Sequence, residues 1–141
     1  MDIQAQQGST SVDEYIREIA FRTLARGGVG FKLDTRQFLP PMDIWAFPKY
    51  PGKTAILPSD IDLMHALRDF ISTNEQFLRE ADCWLGTWIH PQTHEYYLDI
   101  TTGCEDLDQA RNRALEASRR DGRRIVAIYN SKQKKTVYLK T

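Results

Sequence analysis

The run WLGTWIHPQTHEYYLDIT, residues 84–101, constrains this chain more than any other stretch. It contains two segments of alternating character, Trp84–Ile89 and Tyr96–Thr101, separated by a short turn that begins at Pro91. Strands joined by so short a connection must pair antiparallel, because a parallel return needs a crossover of a dozen or more residues. A turn at Pro91–His94, where the fixed φ of proline is useful, sets the register. Ile89 then lies opposite Tyr96, Trp88 opposite Tyr97, Thr87 opposite Leu98 and Gly86 opposite Asp99. Leu85 lies opposite Ile100 and Trp84 opposite Thr101, while His90 faces Glu95 across the turn.

Alternate residues of a strand share a face. One face of this hairpin carries Leu85, Thr87, Ile89, Tyr96, Leu98 and Ile100, which reads as core. The other carries Trp84, Gly86, Trp88, His90, Glu95, Tyr97, Asp99 and Thr101, with Gly86 leaving room beside the Asp99 carboxylate. Aromatic rings with a few fixed polar groups are what interfaces and ligand sites use. The competing expectation is that the proline-rich segment around Trp45 and Tyr50 covers this second face and makes it a second core layer.

The remaining elements follow from periodicity and punctuation. Val12–Arg26 repeats its apolar residues at helical spacing, with Ser11 and Glu14 as a capping box and Gly27 and Gly28 as the stop. Residues 1–11 are expected to form a flexible tail ahead of one domain spanning 12–141. Val29–Leu33 is a short strand. Residues 34–58 contain five of the six prolines, which excludes an unbroken helix. Two short extended pieces, Ile44–Phe47 and Thr54–Leu57, are expected there at a sheet edge. Ser59 caps a helix from Asp60 to about Ser72, with a further turn over Glu75–Glu80. Asp106 caps a helix from Leu107 to about Arg120, stopped by Gly122. Strands at Arg124–Tyr129 and Thr136–Leu139 close the chain around a polar turn. The fold class is α+β, with helices packed on a mainly antiparallel sheet built from hairpins.

Several functional classes are excluded or weakly supported. No apolar run approaches the ~18 residues of a membrane span, and the first residues lack a secretory pattern. Two cysteines, Cys83 and Cys104, make neither a disulfide framework nor zinc spacing. In the hairpin register they sit diagonally at ~7–8 Å, beyond disulfide range, so free thiols and a cytoplasmic setting are expected. The GGVG run follows a helix instead of opening one, so it is no phosphate cradle. His90 and His94 straddle a turn without a third convergent ligand, and no cofactor or metal is called for. A small enzyme centred on His90, Glu95 and Asp99 is a further reading, which requires those groups to converge on a pocket.

Charge is unevenly distributed. Residues 1–110 contain 9 Lys+Arg and 17 Asp+Glu, while residues 111–141 contain 10 and 2. The basic set Arg119, Arg120, Arg123, Arg124, Lys132, Lys134 and Lys135 supports an alternative reading as a nucleic-acid surface. Against it stands the zero net charge of the whole chain.

The pattern Trp88, Pro91, Thr93, Tyr97-Leu98-Asp99, then the helix Asp106–Arg120 and the strand Ala127-Ile128-Tyr129, resembles a group of small bacteriophage and actinobacterial proteins. The upstream segment Gly30–Arg36 is similar as well. This chain departs from the group in having His90 where an acidic residue stands, and in its more basic end. The resemblance implies a phage or mobile-element setting in a bacterial host. The expectation is therefore a small non-enzymatic module that binds a host or phage protein, such as an inhibitor of a host defence system. Its surface would consist of Trp84, Trp88, His90, Tyr97 and Asp99, with Trp45 from the proline-rich segment.

Overall fold

The computed structural model describes residues 3–139, with side chains from residue 13. Three helices pack on a sheet of eight strands, all antiparallel. The elements are α1 (Ile3–Arg26), β1 (Gly28–Lys32), β2 (Gln37–Phe38), β3 (Trp45–Pro48), β4 (Ala55–Leu57), α2 (Leu63–Leu78), β5 (Trp84–Ile89), β6 (Tyr96–Cys104), α3 (Leu107–Asp121), β7 (Ala127–Asn130) and β8 (Lys135–Tyr138). The sheet order is β2-β1-β5-β6-β3-β7-β8, and β4 adds to β6 beside β3.

The β5–β6 hairpin has the register expected from its sequence at each of the six pairs from Trp84–Thr101 to Ile89–Tyr96. The His90 amide continues the ladder by donating to the Glu95 carbonyl at 2.9 Å. The Asp106 cap also forms as expected, its side chain accepting from the Gln109 amide at 2.9 Å, and Gly122 ends α3 in the left-handed conformation.

Other boundaries differ from expectation. α1 begins at Ile3, so Ser11 lies inside the helix and does not cap it; the Ala and Gln residues of this stretch favour helix, and one glycine does not end it. Met1 and Asp2 of the expected tail lie outside the described residues. α2 is capped by Asp62, which accepts from the His65 amide at 3.2 Å, and not by Ser59. Residues 58–61 form a turn closed by Ile61 donating to the Pro58 carbonyl. The expected break near Asn74 is a kink, with Asn74 at φ −115°, ψ 17° and its amide bonded to the Phe70 carbonyl.

The largest revision concerns the proline-rich region. β3 is not an edge strand, because it lies between β6 and β7. β3 and β4 do not pair with each other; each pairs with a different half of β6. Pro48 stands at the last position of β3, where the missing N–H is tolerated.

Strand alternation assigns every helix to the same face of the sheet. Phe31, Leu85, Tyr96, Leu98 and Ile100 point into a core made with Ile16, Ile19 and Ala20 of α1 and Leu63, Leu67, Phe70 and Leu78 of α2. On that same face, Trp45, Phe47 and Ile128 pack under Ala110, Ala114 and Ala117 of α3. The alanines let α3 approach β3 closely enough to bury a tryptophan. Inside the first core, the hydroxyls of Thr23 and Thr87 meet at 2.6 Å, and Thr87 also accepts from the Val29 amide. The opposite face of the sheet carries no α-helix among the described residues. Among the described residues, no helix is long and apolar enough to cross a membrane.

Candidate functional site

The helix-free face lines a cleft of about 750 Å³. Its floor is made of small residues contributed by successive strands: Gly28 and Gly30 on β1, Gly86 on β5, Thr101 on β6, Ala46 on β3 and Ala127 on β7. Larger side chains stand at the sides, with Trp84 and Trp88 towards one end and Tyr129 and Thr136 towards the other. A strap of Leu39, Pro40, Pro41 and Met42 forms one wall. Leu39 donates to the Gly30 carbonyl at 2.9 Å, and the Met42 amide donates to the Ser131 hydroxyl at 2.8 Å. The strap is thereby tied to β1 at one end and to the β7–β8 turn at the other.

Four of the six residues expected on the binding surface line or border this cleft. Trp84 leans over Gly30, where an added Cβ would lie 3.2 Å from its ring. Trp88 contacts Tyr97 edge-on, with ring centroids 5.1 Å apart. Among the described residues, neither indole N–H nor the Tyr97 hydroxyl donates to a protein acceptor, and none of these atoms is buried without a partner. They remain available to a ligand. Burial and the carboxylates of Glu95 and Asp99 push the Tyr97 hydroxyl above its ordinary pKa, so it stays a donor at neutral pH.

Among the described residues, Asp99 is the one carboxylate of the cleft lining. Its Oδ1 accepts from the Thr54 hydroxyl at 2.7 Å. Burial raises its pKa to about 6, against the opposing pull of the Thr54 hydrogen bond and the Arg123 guanidinium. A cavity of about 40 Å³ lies beyond it, bordered by Pro48, Tyr97 and Arg123, a size suited to ordered solvent. Gly86, opposite Asp99, also makes room for Thr101: a Cβ there would land on the Thr101 hydroxyl.

Trp45 and His90 have other duties. Trp45 is 7% exposed and lies beneath α3, on the face away from the cleft. The proline-rich segment does border the aromatic face, through the Leu39–Met42 strap and through Ala46 and Pro48 of β3, and not through Trp45 or Tyr50. Tyr50 packs on Phe77 and donates to Glu80. His90 is 9% exposed, and its Nδ1 accepts from the amides of Gln92 at 3.1 Å and Thr93 at 3.4 Å. It organises the turn, with its ring against Trp88 at 5.0 Å. His90→Ala should therefore cost about 1 kcal/mol by leaving the turn amides without an acceptor. A urea titration that finds no loss would count against this role.

The enzyme reading required His90, Glu95 and Asp99 to converge. His90 lies four strand positions from Gly86, the partner of Asp99, or ~13 Å along the ladder, and the Trp88–Tyr97 pair stands between them. The basic residues also divide into two groups. Arg120 donates to the Lys49 carbonyl and to Asp121, Arg123 to the Thr54 carbonyl and Arg124 to the Leu139 carbonyl. Lys132, Lys134 and Lys135 sit at the far end of β7, ~13 Å away for a four-residue strand.

Glu80, Asp82 and Cys83 bring three donor atoms within 4.8 Å of one another. The Lys49 ammonium already occupies that cluster, at 2.6 Å from Glu80 and 3.0 Å from Asp82. Cys83 and Cys104 are both free, as their diagonal placement implied. Burial pushes the Cys83 thiol up to about 11, with Asp82 adding to the effect, so it is an inert core thiol.

The floor of the cleft was missed at the sequence level. The alternation Gly28-Val29-Gly30-Phe31 was its signal, since it presents apolar residues to one face of a strand and nothing to the other. Comparisons with protein-family models, curated proteins and solved structures find no match to this chain.

Proposed function

We propose that this chain is a non-enzymatic binding module that receives an extended segment of a partner protein in the helix-free cleft. The observation that carries this reading is the shape of the site. The cleft crosses β1, β5, β6, β3, β7 and β8, which at ~4.8 Å per strand is a trough of roughly 24 Å. A length of that order suits about seven residues of extended chain. Small residues along the floor leave room for side chains, and the unpartnered indole and phenol donors can bond a peptide backbone. The resemblance to phage and actinobacterial proteins supports a host or phage protein as the partner, and a role in modulating a host system.

Ala127→Trp and Thr136→Trp, each placing a ring in the trough from a different strand, provide the test. Linear twelve-residue peptides selected from a random library against the full chain should quench Trp84 and Trp88 fluorescence. They should lose at least tenfold in affinity for whichever filled variant retains the wild-type thermal transition. Selected peptides that bind filled and unfilled proteins alike would remove the cleft from consideration.

A further inference from the structure

Building on the cleft reading, we propose that the partner segment carries a basic side chain, arginine or lysine, whose cationic head is received by Asp99 beside the indoles of Trp84 and Trp88. Three observations carry this. Among the described residues, the lining holds a single carboxylate, set in the sheet, while its two basic side chains, Arg26 and Lys134, come from opposite ends of the trough. A cation in the middle of the segment is therefore complementary to the lining, whereas an anion there would meet Asp99.

Asp99 also has binding capacity left. Its Oδ1 takes the Thr54 hydroxyl, and no side-chain donor among the described residues reaches Oδ2. Arg123, whose guanidinium also acts on Asp99, is committed to the Thr54 carbonyl at 2.6 Å and makes no hydrogen bond to the carboxylate. The third observation is the surroundings. Asp99 pairs with Gly86, and the residues two positions to either side of Gly86 on the same face are Trp84 and Trp88. Indole faces attract guanidinium and ammonium groups, and arginine stacks on them more readily than lysine. An extended chain crossing β5 and β6 would thus pass its side chain over two aromatic rings to reach a half-buried carboxylate.

The test uses two short probes, N-acetyl-arginine methylamide and N-acetyl-norleucine methylamide, titrated into the full chain while the three indole N–H resonances are followed by NMR. The arginine probe should move the Trp84 and Trp88 signals and leave that of Trp45, which lies beneath α3. Its Kd should be at least fivefold lower than that of the norleucine probe, and that advantage should vanish in Asp99→Asn. Among library-selected peptides, a basic residue should recur at one position, and its change to norleucine should cost at least tenfold. Equal binding of the two probes, no shift with either, or an arginine preference that survives Asp99→Asn would each overturn the proposal. Peptides that occupy the trough without a basic residue would overturn it while leaving the cleft reading intact. Failure of the filled variants to block any peptide would instead overturn the cleft reading.

Discussion

Asp99→Asn should raise the unfolding free energy at pH 7.5 by about 2 kcal/mol while weakening cation binding. Burial holds the Asp99 carboxyl at about 6, above the 3.8 of an ordinary aspartate. The folded state therefore binds its proton more tightly than the unfolded state does. Linkage gives the sign: Asp99 costs nothing below pH 3.8, where both states are protonated, and its penalty grows as pH rises to about 6. At about 1.4 kcal/mol for each tenfold change in proton affinity, the displacement from 3.8 to about 6 sets an upper bound of about 3 kcal/mol. Asparagine keeps the acceptor for Thr54 and removes the charge, so most of that penalty should disappear. Asp43, Glu80, Asp82 and Asp121 have pKa values lowered by hydrogen bonds and cations. They gain stability over the acid range with the opposite sign, and so the useful quantity is the difference between wild type and variant. Denaturant titrations at pH 4 and pH 7.5 should show a gap that is small at the lower value and widens at the higher. A gap independent of pH would mean that Asp99 is not the source. The widening gap, for a residue lining the cleft of about 750 Å³, would mark Asp99 as a group kept for binding.

What was legible in the sequence divides along local and non-local lines. The β5–β6 register could be read because two local signals agree: alternation fixes which residues share a face, and the Pro91 turn fixes which residues oppose. The helix faces were equally local. The neighbours of the hairpin were not. β1 reaches β5 across more than fifty residues, and β3 joins both β6 and β7, pairings that no local pattern encodes. The glycines of β1 directly follow α1, so Gly28 read as part of a helix stop when it is floor. Bonding of the basic end was hidden for the same reason. The acceptors of Arg120, Arg123 and Arg124 are carbonyls at Lys49, Thr54 and Leu139, distant in sequence and without charge.

The tryptophans offer a sharper test of the face assignment, because sequence grouped all three and the structure separates them. Trp45→Ala should cost about 3–5 kcal/mol, the range for emptying a buried aromatic site. Its indole fills the space between β3 and the Ala110, Ala114 and Ala117 face of α3. The three alanines facing the indole are too small to fill the space it leaves, so the upper half of the range is expected. Trp88→Ala should cost less, about 1–2 kcal/mol, because its ring is partly exposed on the open face and packs on Tyr97 and His90. Equilibrium urea unfolding of both variants measures the contrast, with a shared m-value as the check that each still folds cooperatively. Trp45→Ala should leave the sheet register and therefore the cleft chemistry largely in place at low temperature, whereas Trp88→Ala should keep stability and lose ligand affinity. The reverse ordering of the two stabilities would place Trp45 on the open face and Trp88 in the core. That result would contradict the alternation of β3 against β6, and with it the assignment of all three helices to one side of the sheet.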